Sequence, residues 1–441
     1  MHSSKDERSL GFFSATLIII AAMIGTGVFT LTGFLVENLS SPFLMISAWI
    51  LVGVISLCGA LCYAEISSLY NENGGEYLFL SRLVHPSVGF LSGWASFIVG
   101  FSAPGAASAV AFGTFCSAVI GTNIRIPLAL LVVLLFSVIH IRGLKTGGYL
   151  QNMLTVLKVL LVFIFLVFGS IVFFLPKNHM PHWDISLSEL FRPGYATSLL
   201  FISYAYAGWN MVVYIAGEIK RPERNIPLAL IAATVIVSVL YVMINVIYLH
   251  ILTFDEMNGV LEIGYLAMRK LYGDAVGGYF SLGISLALVS MVSSLLMAGP
   301  RIYMKVGDDF KLFRSLSLKS SYDTPVIAII MQCVLTMLLI VTMSYEHLLY
   351  YIGFVLSIFT VLTVSCVFYV RAKQMPAKFK MPLYPLPPVL FLVFNVIMLY
   401  NNVLQRPLES LVGALTLLAG YGLYLYAAKK EKTINTDILP E

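Results

Sequence analysis

Two apolar runs, one in each half of the chain, are interrupted at their centres by patterns that do not sustain a helix. The first lies in the stretch from Ser9 to Val36, which carries no charged side chain, and reads Ile24-Gly25-Thr26-Gly27-Val28-Phe29. The second reads Tyr204-Ala205-Tyr206-Ala207-Gly208-Trp209-Asn210. In lipid, an unpaired peptide group costs several kcal/mol, so irregular backbone survives there only where it lines a cavity. Interruptions at corresponding points of two halves point to a binding site near the bilayer midplane.

The surrounding sequence places these runs in a membrane. Of 441 residues, 59% are hydrophobic and 11% charged, against about a quarter charged in soluble domains. A bilayer core needs roughly 20 apolar residues per helix. Twelve spans are predicted, at 12–35, 42–66, 88–117, 126–142, 147–175, 197–217, 227–252, 278–302, 325–343, 348–370, 385–404 and 408–427. With the amino terminus in the cytoplasm, cytoplasmic segments hold twenty of the 27 Lys and Arg residues, and outer loops hold six. That bias sets both termini inside. The net charge of +5 is therefore a topology signal, and no nucleic-acid partner is expected. The first apolar run is too long for a cleavable leader and lacks a small-residue cleavage site. The five cysteines form no close metal-type cluster and read as small packing residues. No cofactor and no metal are expected.

The expected organisation is a cytoplasmic amino-terminal segment at 1–11, a first five-helix set at 12–175, and an outer loop at 176–196. A second five-helix set follows at 197–370, then a cytoplasmic loop and two further helices at 371–427, and a cytoplasmic tail at 428–441. An odd number of spans per set makes the second set inverted relative to the first. The fold class is thus an all-α membrane protein of twelve transmembrane helices, a five-plus-five inverted repeat with spans one and six broken, plus two additional helices.

Breaking a helix frees amide donors at the start of its outer half and carbonyl acceptors at the end of its inner half. The donor end suits a carboxylate, and the acceptor end an ammonium group. Two such breaks supply both poles for a zwitterion without a charged side chain, which fits an α-amino acid. The backbone of Ile24, Gly25, Thr26, Gly27 and Val28, and of Tyr204, Ala205, Tyr206, Ala207 and Gly208, is the candidate substrate surface. Asn210 joins it, because an amide in lipid must face a polar interior. The competing interpretation is that the glycines only allow close helix packing and the aromatics only fill space.

Lys158 is the one basic residue left inside a span, with long apolar flanks on both sides. It either stays charged by donating to carbonyls and hydroxyls, as a fixed substitute for a bound cation, or gives up its proton and acts as a carrier. Carbonyls near Gly25 and the hydroxyls of Ser290, Ser293 or Ser294 are its expected partners. A purely structural lysine is the remaining alternative.

Several motifs resemble the amino acid–polyamine–organocation superfamily, in particular the L-type amino acid transporters and bacterial serine/threonine exchangers. They are Gly25-Thr26-Gly27-Val28-Phe29, Cys62-Tyr63-Ala64-Glu65, Gly74-Gly75-Glu76-Tyr77, Gly89-Phe90-Leu91-Ser92-Gly93-Trp94, Ala205-Tyr206-Ala207-Gly208-Trp209-Asn210 and Gly217-Glu218-Ile219-Lys220-Arg221-Pro222-Glu223-Arg224-Asn225-Ile226-Pro227. The resemblance implies a fold like the bacterial leucine transporter and substrate binding by the backbone of spans one and six. It implies that Lys158 replaces a sodium ion between spans one, five and eight. Tyr204 matches an aromatic gate, Asn210 a pocket amide, and Tyr241 a tyrosine of relatives; Tyr204, Trp209 and Tyr241 are the gate candidates. Many relatives have Gly, Ser or Asp where this chain has Ala207. The segment around Gly121-Thr122-Asn123-Ile124 lacks the outer-loop cysteine that joins animal relatives to a heavy chain, so no heavy-chain partner is expected.

The nearest acids in the spans, Glu65 and Glu218, sit near cytoplasmic ends, which disfavours polyamines and cationic amino acids. No cation beyond Lys158 is available for an acidic substrate. Neutral amino acids remain, carried by sodium-independent exchange, with proton-coupled symport as the alternative. His140 and His250 have no metal-ligand partners and no nucleophile–base set is evident, so an enzyme is not expected. A non-transporting sensor is a further class, though no appended signalling domain accompanies it. The sequence leaves the oligomeric state open.

Overall fold

The computed structural model describes residues 10–142, 144–175, 187–321 and 324–436. Parts of the amino-terminal segment, the 176–196 loop and the carboxyl-terminal tail lie outside these described residues. Among the described residues the chain is helical throughout, apart from turns, loops and one isolated bridge between Leu10 and Ile219.

The first span is α1 (Phe12–Met23) and α2 (Gly27–Asn38), separated by the non-helical residues 24–26. Then come α3 (Pro42–Ser67), the short α4 (Gly75–Leu83) and α5 (Pro86–Ala95), which passes through a π-helical segment (Ser96–Ser102) into α6 (Ala103–Ile120). Next are α7 (Arg125–Ile141), α8 (Leu144–Gly169) and α9 (Pro193–Tyr206), the upper half of the second broken span. Its lower half, Met211–Glu218, is 3₁₀ rather than α-helical and kinks at Ile215. The rest is α10 (Pro222–Ile251), two short helices α11 (Phe254–Met257) and α12 (Ile263–Tyr272), α13 (Asp274–Asp309), α14 (Val326–Thr342), α15 (Tyr345–Ala372), α16 (Leu386–Gln405) and α17 (Pro407–Thr436).

Proline in the first turn starts α3, α5, α9 and α10, where its missing N–H has no helical partner to lose. Among the described residues, ten segments are long and apolar enough to cross a bilayer, and α7 and α14 are shorter apolar helices of 17 residues each. Helix α13 packs along α6, α10 along α3, and α1 along α10. The outward faces of α8, α14, α16 and α17 carry exposed leucine, valine and phenylalanine side chains such as Phe163, Val334, Val393 and Leu418. In water such surface would be unfavourable; facing acyl chains it is the expected surface of a bundle. This arrangement sets both broken spans at the centre, with α3, α6, α10 and α13 around them.

Candidate functional site

The two breaks meet. A Cβ added to Gly27 would lie 2.5 Å from Cβ of Ala205, so glycine is what lets the start of α2 approach the end of α9. After Tyr206, Ala207 turns to an extended conformation and Gly208 takes φ of +100°, a region that L side chains avoid. Gly208 in turn sits against the backbone of Ala22, with a notional Cβ 3.0 Å from the Ala22 carbonyl carbon.

The severed ends have identifiable partners. At the end of α1, the Ala21 carbonyl accepts from Lys158 Nζ at 2.5 Å. The Tyr241 hydroxyl lies 2.6 Å from the Met23 carbonyl and 3.1 Å from the Ala205 carbonyl. A single hydroxyl proton from α10 thus serves the ends of both broken helices. Of the opening N–H groups of α2, that of Phe29 turns back to the Thr26 carbonyl at 3.0 Å, while those of Gly27 and Val28 have no partner within the helix.

These elements surround a cavity of about 200 Å³, smaller than the roughly 300–1,000 Å³ of sites for drug-sized ligands. Gly25, Thr26 and Gly27 line it from the first break, and Tyr204, Ala205, Ala207, Gly208, Trp209 and Asn210 from the second. Ile24, Val28 and Tyr206 are buried but are not among its lining residues. The Tyr206 hydroxyl instead donates to the Trp49 carbonyl at 3.1 Å. The Tyr204 hydroxyl is 3.1 Å from Thr26 Oγ1, bridging the two broken spans on the side away from the amino terminus. One turn further out, Thr30 Oγ1 and the Tyr345 hydroxyl are 2.8 Å apart. Trp209 packs edge-on against Tyr63, with ring centroids 4.7 Å apart.

Lys158 is 1% exposed and stands behind α1 rather than in the cavity wall. Ser290 and Ser293 are buried on α13, and Ser294 is half-buried. The Ser293 hydroxyl lies 3.1 Å from His140 Nε2 of α7, a pairing with no signal in the sequence.

Two groups in the wall lie outside the candidate site residues read from the sequence. Ser96 and Gly100 line the cavity from the π-helical segment, and Pro104 from the first turn of α6. Pro104 has no N–H to give to the carbonyl of Gly100, one α-helical turn before it, and Ser102 Oγ bonds five residues back to the Phe97 carbonyl at 2.9 Å. Such single-turn widenings recur at functional sites; Gly100 followed by Pro104 was the available signal.

The second is Glu76, near the start of α4 between two spans. It is 5% exposed and is the single acidic or basic side chain among the described lining residues. Asn210 Nδ2 donates to its Oε1 at 3.1 Å, and the Tyr63 hydroxyl donates to the same oxygen. Burial raises the carboxyl to about 7, against hydrogen bonds from Tyr63, Asn210 and Tyr214 that hold it down. The premise that no acid reaches the binding region is thereby corrected. By contrast, Glu65 is committed elsewhere, with Arg371 Nε at 2.5 Å and the Met381 N–H at 2.9 Å.

A bundle with two spans broken face to face around a small cavity is the architecture of a membrane carrier. A profile of the amino acid permease family matches residues 10–419, and the chain belongs to that family, within the amino acid–polyamine–organocation superfamily. It is similar to the serine/threonine exchanger SteT of Bacillus subtilis (strain 168), 27% identical over 442 residues, covering 98% of this chain and 100% of that one. It is 26% identical over 434 residues to the human (Homo sapiens) b(0,+)-type amino acid transporter 1, covering 95% and 87% respectively. Similarity to the large neutral amino acids transporter small subunit 2 of Rattus norvegicus is 26% over 454 residues, covering 98% and 83%. The protein is an integral membrane transporter of amino acids, not an enzyme.

Proposed function

We propose that the chain is a sodium-independent exchanger of neutral L-amino acids that works by alternating access. The observation that carries this reading is the convergence of both severed helices on one small cavity without a cationic side chain. Freed N–H groups at the start of α2 hold the carboxylate, and carbonyls at the ends of α1 and α9 hold the ammonium group. Ala207, with Asn210 beside it, leaves room for a modest side chain. The names of relatives, a serine/threonine exchanger and transporters of neutral amino acids, support the same class. Lys158, bonded to α1 from α8, fills the role of a bound cation, with Ser290, Ser293 and Ser294 nearby on α13.

In this reading α7 and α14 complete twelve spans in two inverted sets of five, 12–175 and 197–370, plus two added helices. Both termini face the cytoplasm, in the cell's inner membrane. The chain works as a single polypeptide without a heavy-chain partner. Tyr204, with Trp209 and Tyr241, forms the gate.

Counterflow in proteoliposomes containing only the purified protein tests this. A panel of labelled amino acids is supplied with and without sodium and with and without a pH gradient. Accelerated uptake against internal neutral amino acids, unchanged by removing sodium, is expected. Loss of transport without sodium would overturn the cation-substitute role of Lys158. Proton-coupled symport is the second reading, favoured by Glu76 in the cavity wall. Uptake into liposomes free of internal substrate, driven by an inward proton gradient, selects it. Absence of flux under every condition would indicate a sensor.

A further inference from the structure

Helix α4 is too short to cross a membrane, yet its second residue reaches the substrate cavity. The segment leading into it is bound to the lower half of the second broken span at several points. The Gly74 N–H donates to the Tyr214 carbonyl at 3.2 Å, and the Gly217 N–H to Asn73 Oδ1 at 2.8 Å. A Cβ on Gly75 would lie 2.5 Å from the Tyr214 ring, so glycine there lets that ring close on the start of α4. Glu76 therefore stands in a seam, held by Tyr63 of α3 on one side and by Asn210 and Tyr214 of the broken span on the other.

All three donors are neutral. The titratable groups facing Glu76 are Tyr63 from α3 and Tyr214 from the 3₁₀ segment. Glu65, further along α3, is paired with Arg371 of α15, and α15 otherwise presents Thr363 beside Tyr63. Helix α5 carries no acid or base. On α4 itself, Tyr77 donates to Asp309, and Arg82 pairs with Glu72 at 2.8 Å. No described residue supplies Glu76 with a cation. A buried carboxylate without a counter-charge is costly, and taking up a proton relieves that cost.

We propose that Glu76 is a proton-binding site of this carrier, linked to the substrate through Asn210 and to closure of the seam through Tyr63 and Tyr214. With the seam closed, the carboxyl carries its proton and the cavity is neutral, as a zwitterionic substrate requires. When α4 parts from the 3₁₀ segment, water reaches Oε1, the proton passes to water, and a carboxylate remains. Reclosure takes the proton back from the same side. The inference rests on the amino acid transport reading and adds a pH-sensitive step to it.

The test compares purified wild-type protein and Glu76→Gln in proteoliposomes, with exchange of a labelled neutral amino acid followed at matched internal and external pH. Wild-type exchange is expected to change at least about threefold between about pH 6 and about pH 8, and the Glu76→Gln profile, scaled to its own maximum, to be flat. The same profile in both proteins would overturn the proposal. Should the variant not fold, infrared spectroscopy of the wild-type protein decides. A protonated-carboxyl band that is lost as pH rises through about 7, and that shifts when substrate is added, supports Glu76. Absence of any such band overturns it. Wild-type protein that exchanges nothing at any pH would defeat the transport reading instead, and the infrared arm would still decide on the proton.

Discussion

Lys158 Nζ donates to the carbonyl oxygen of Ala21 at 2.5 Å, joining α8 to the last turn of α1. The lysine is therefore fastened to the severed end of the first span rather than to the cavity. Replacing it with alanine takes the donor from that half-buried carbonyl, at a cost of about 1–3 kcal/mol. Lys158→Ala is expected to reduce exchange turnover at least about tenfold, equivalent to about 1.4 kcal/mol, while the protein still elutes as a folded species. Unchanged kinetics would reduce Lys158 to a packing residue.

The two glycines of the first break should respond differently. Gly27→Ala drives a methyl group into Cβ and Cα of Ala205, at 2.5 and 2.6 Å. Overpacking of this kind costs about 1–3 kcal/mol, so a lower melting temperature and lost transport are expected. Gly25→Ala meets the flexible end of Met291 at 3.6 Å and the Met23 carbonyl oxygen at 3.8 Å, both ordinary contact distances. It should keep its melting temperature and raise KM by narrowing the cavity. Equal melting temperatures for both variants would contradict the close approach of the two spans.

Tyr241→Phe removes the hydroxyl lying 2.6 Å from the Met23 carbonyl and 3.1 Å from that of Ala205. The ring still fills its place against Trp49 and Tyr206. A loss of about 1 kcal/mol is expected, seen as a roughly fivefold slower exchange with the fold retained. A wild-type rate would show that the two carbonyls find other partners.

The Glu76 carboxyl also makes folding stability depend on pH. Its pKa is raised from 4.5 to about 7 in the folded protein, with burial the largest cause. The fold binds a proton there that the unfolded chain releases, so its contribution is present at low pH and lost as pH rises through about 7. The melting temperature in detergent should fall as pH rises from 4.5 to about 7 and level off above it, and Glu76→Gln should lessen that slope. A slope unaffected by the substitution would place the pH dependence on another group.

The helices were largely legible because apolar runs and first-turn prolines are local signals. The segment predicted at 42–66 is Pro42–Ser67, and that predicted at 385–404 is Leu386–Gln405. Both breaks were visible because glycine and small residues interrupt otherwise helical runs. Lys158 stood out as a lone charge, but its partner did not, since every residue offers a carbonyl. Glu76 was missed for a related reason. An acid between two spans reads as solvated, and only closure of the chain onto Tyr214 and Asn210 buries it. The 3₁₀ winding after Asn210 and the pairing of His140 with Ser293 likewise depend on neighbours far away in sequence.

Leu10 is clasped at both its backbone groups by the far end of the second broken span, through Glu218 at 3.1 Å and Lys220 at 2.8 Å. The chain at Leu10 is thus fastened to the lower end of the substrate-lining span. A bulky reporter grafted before Leu10 would load that fastening, whereas one placed after α17 would leave it unburdened.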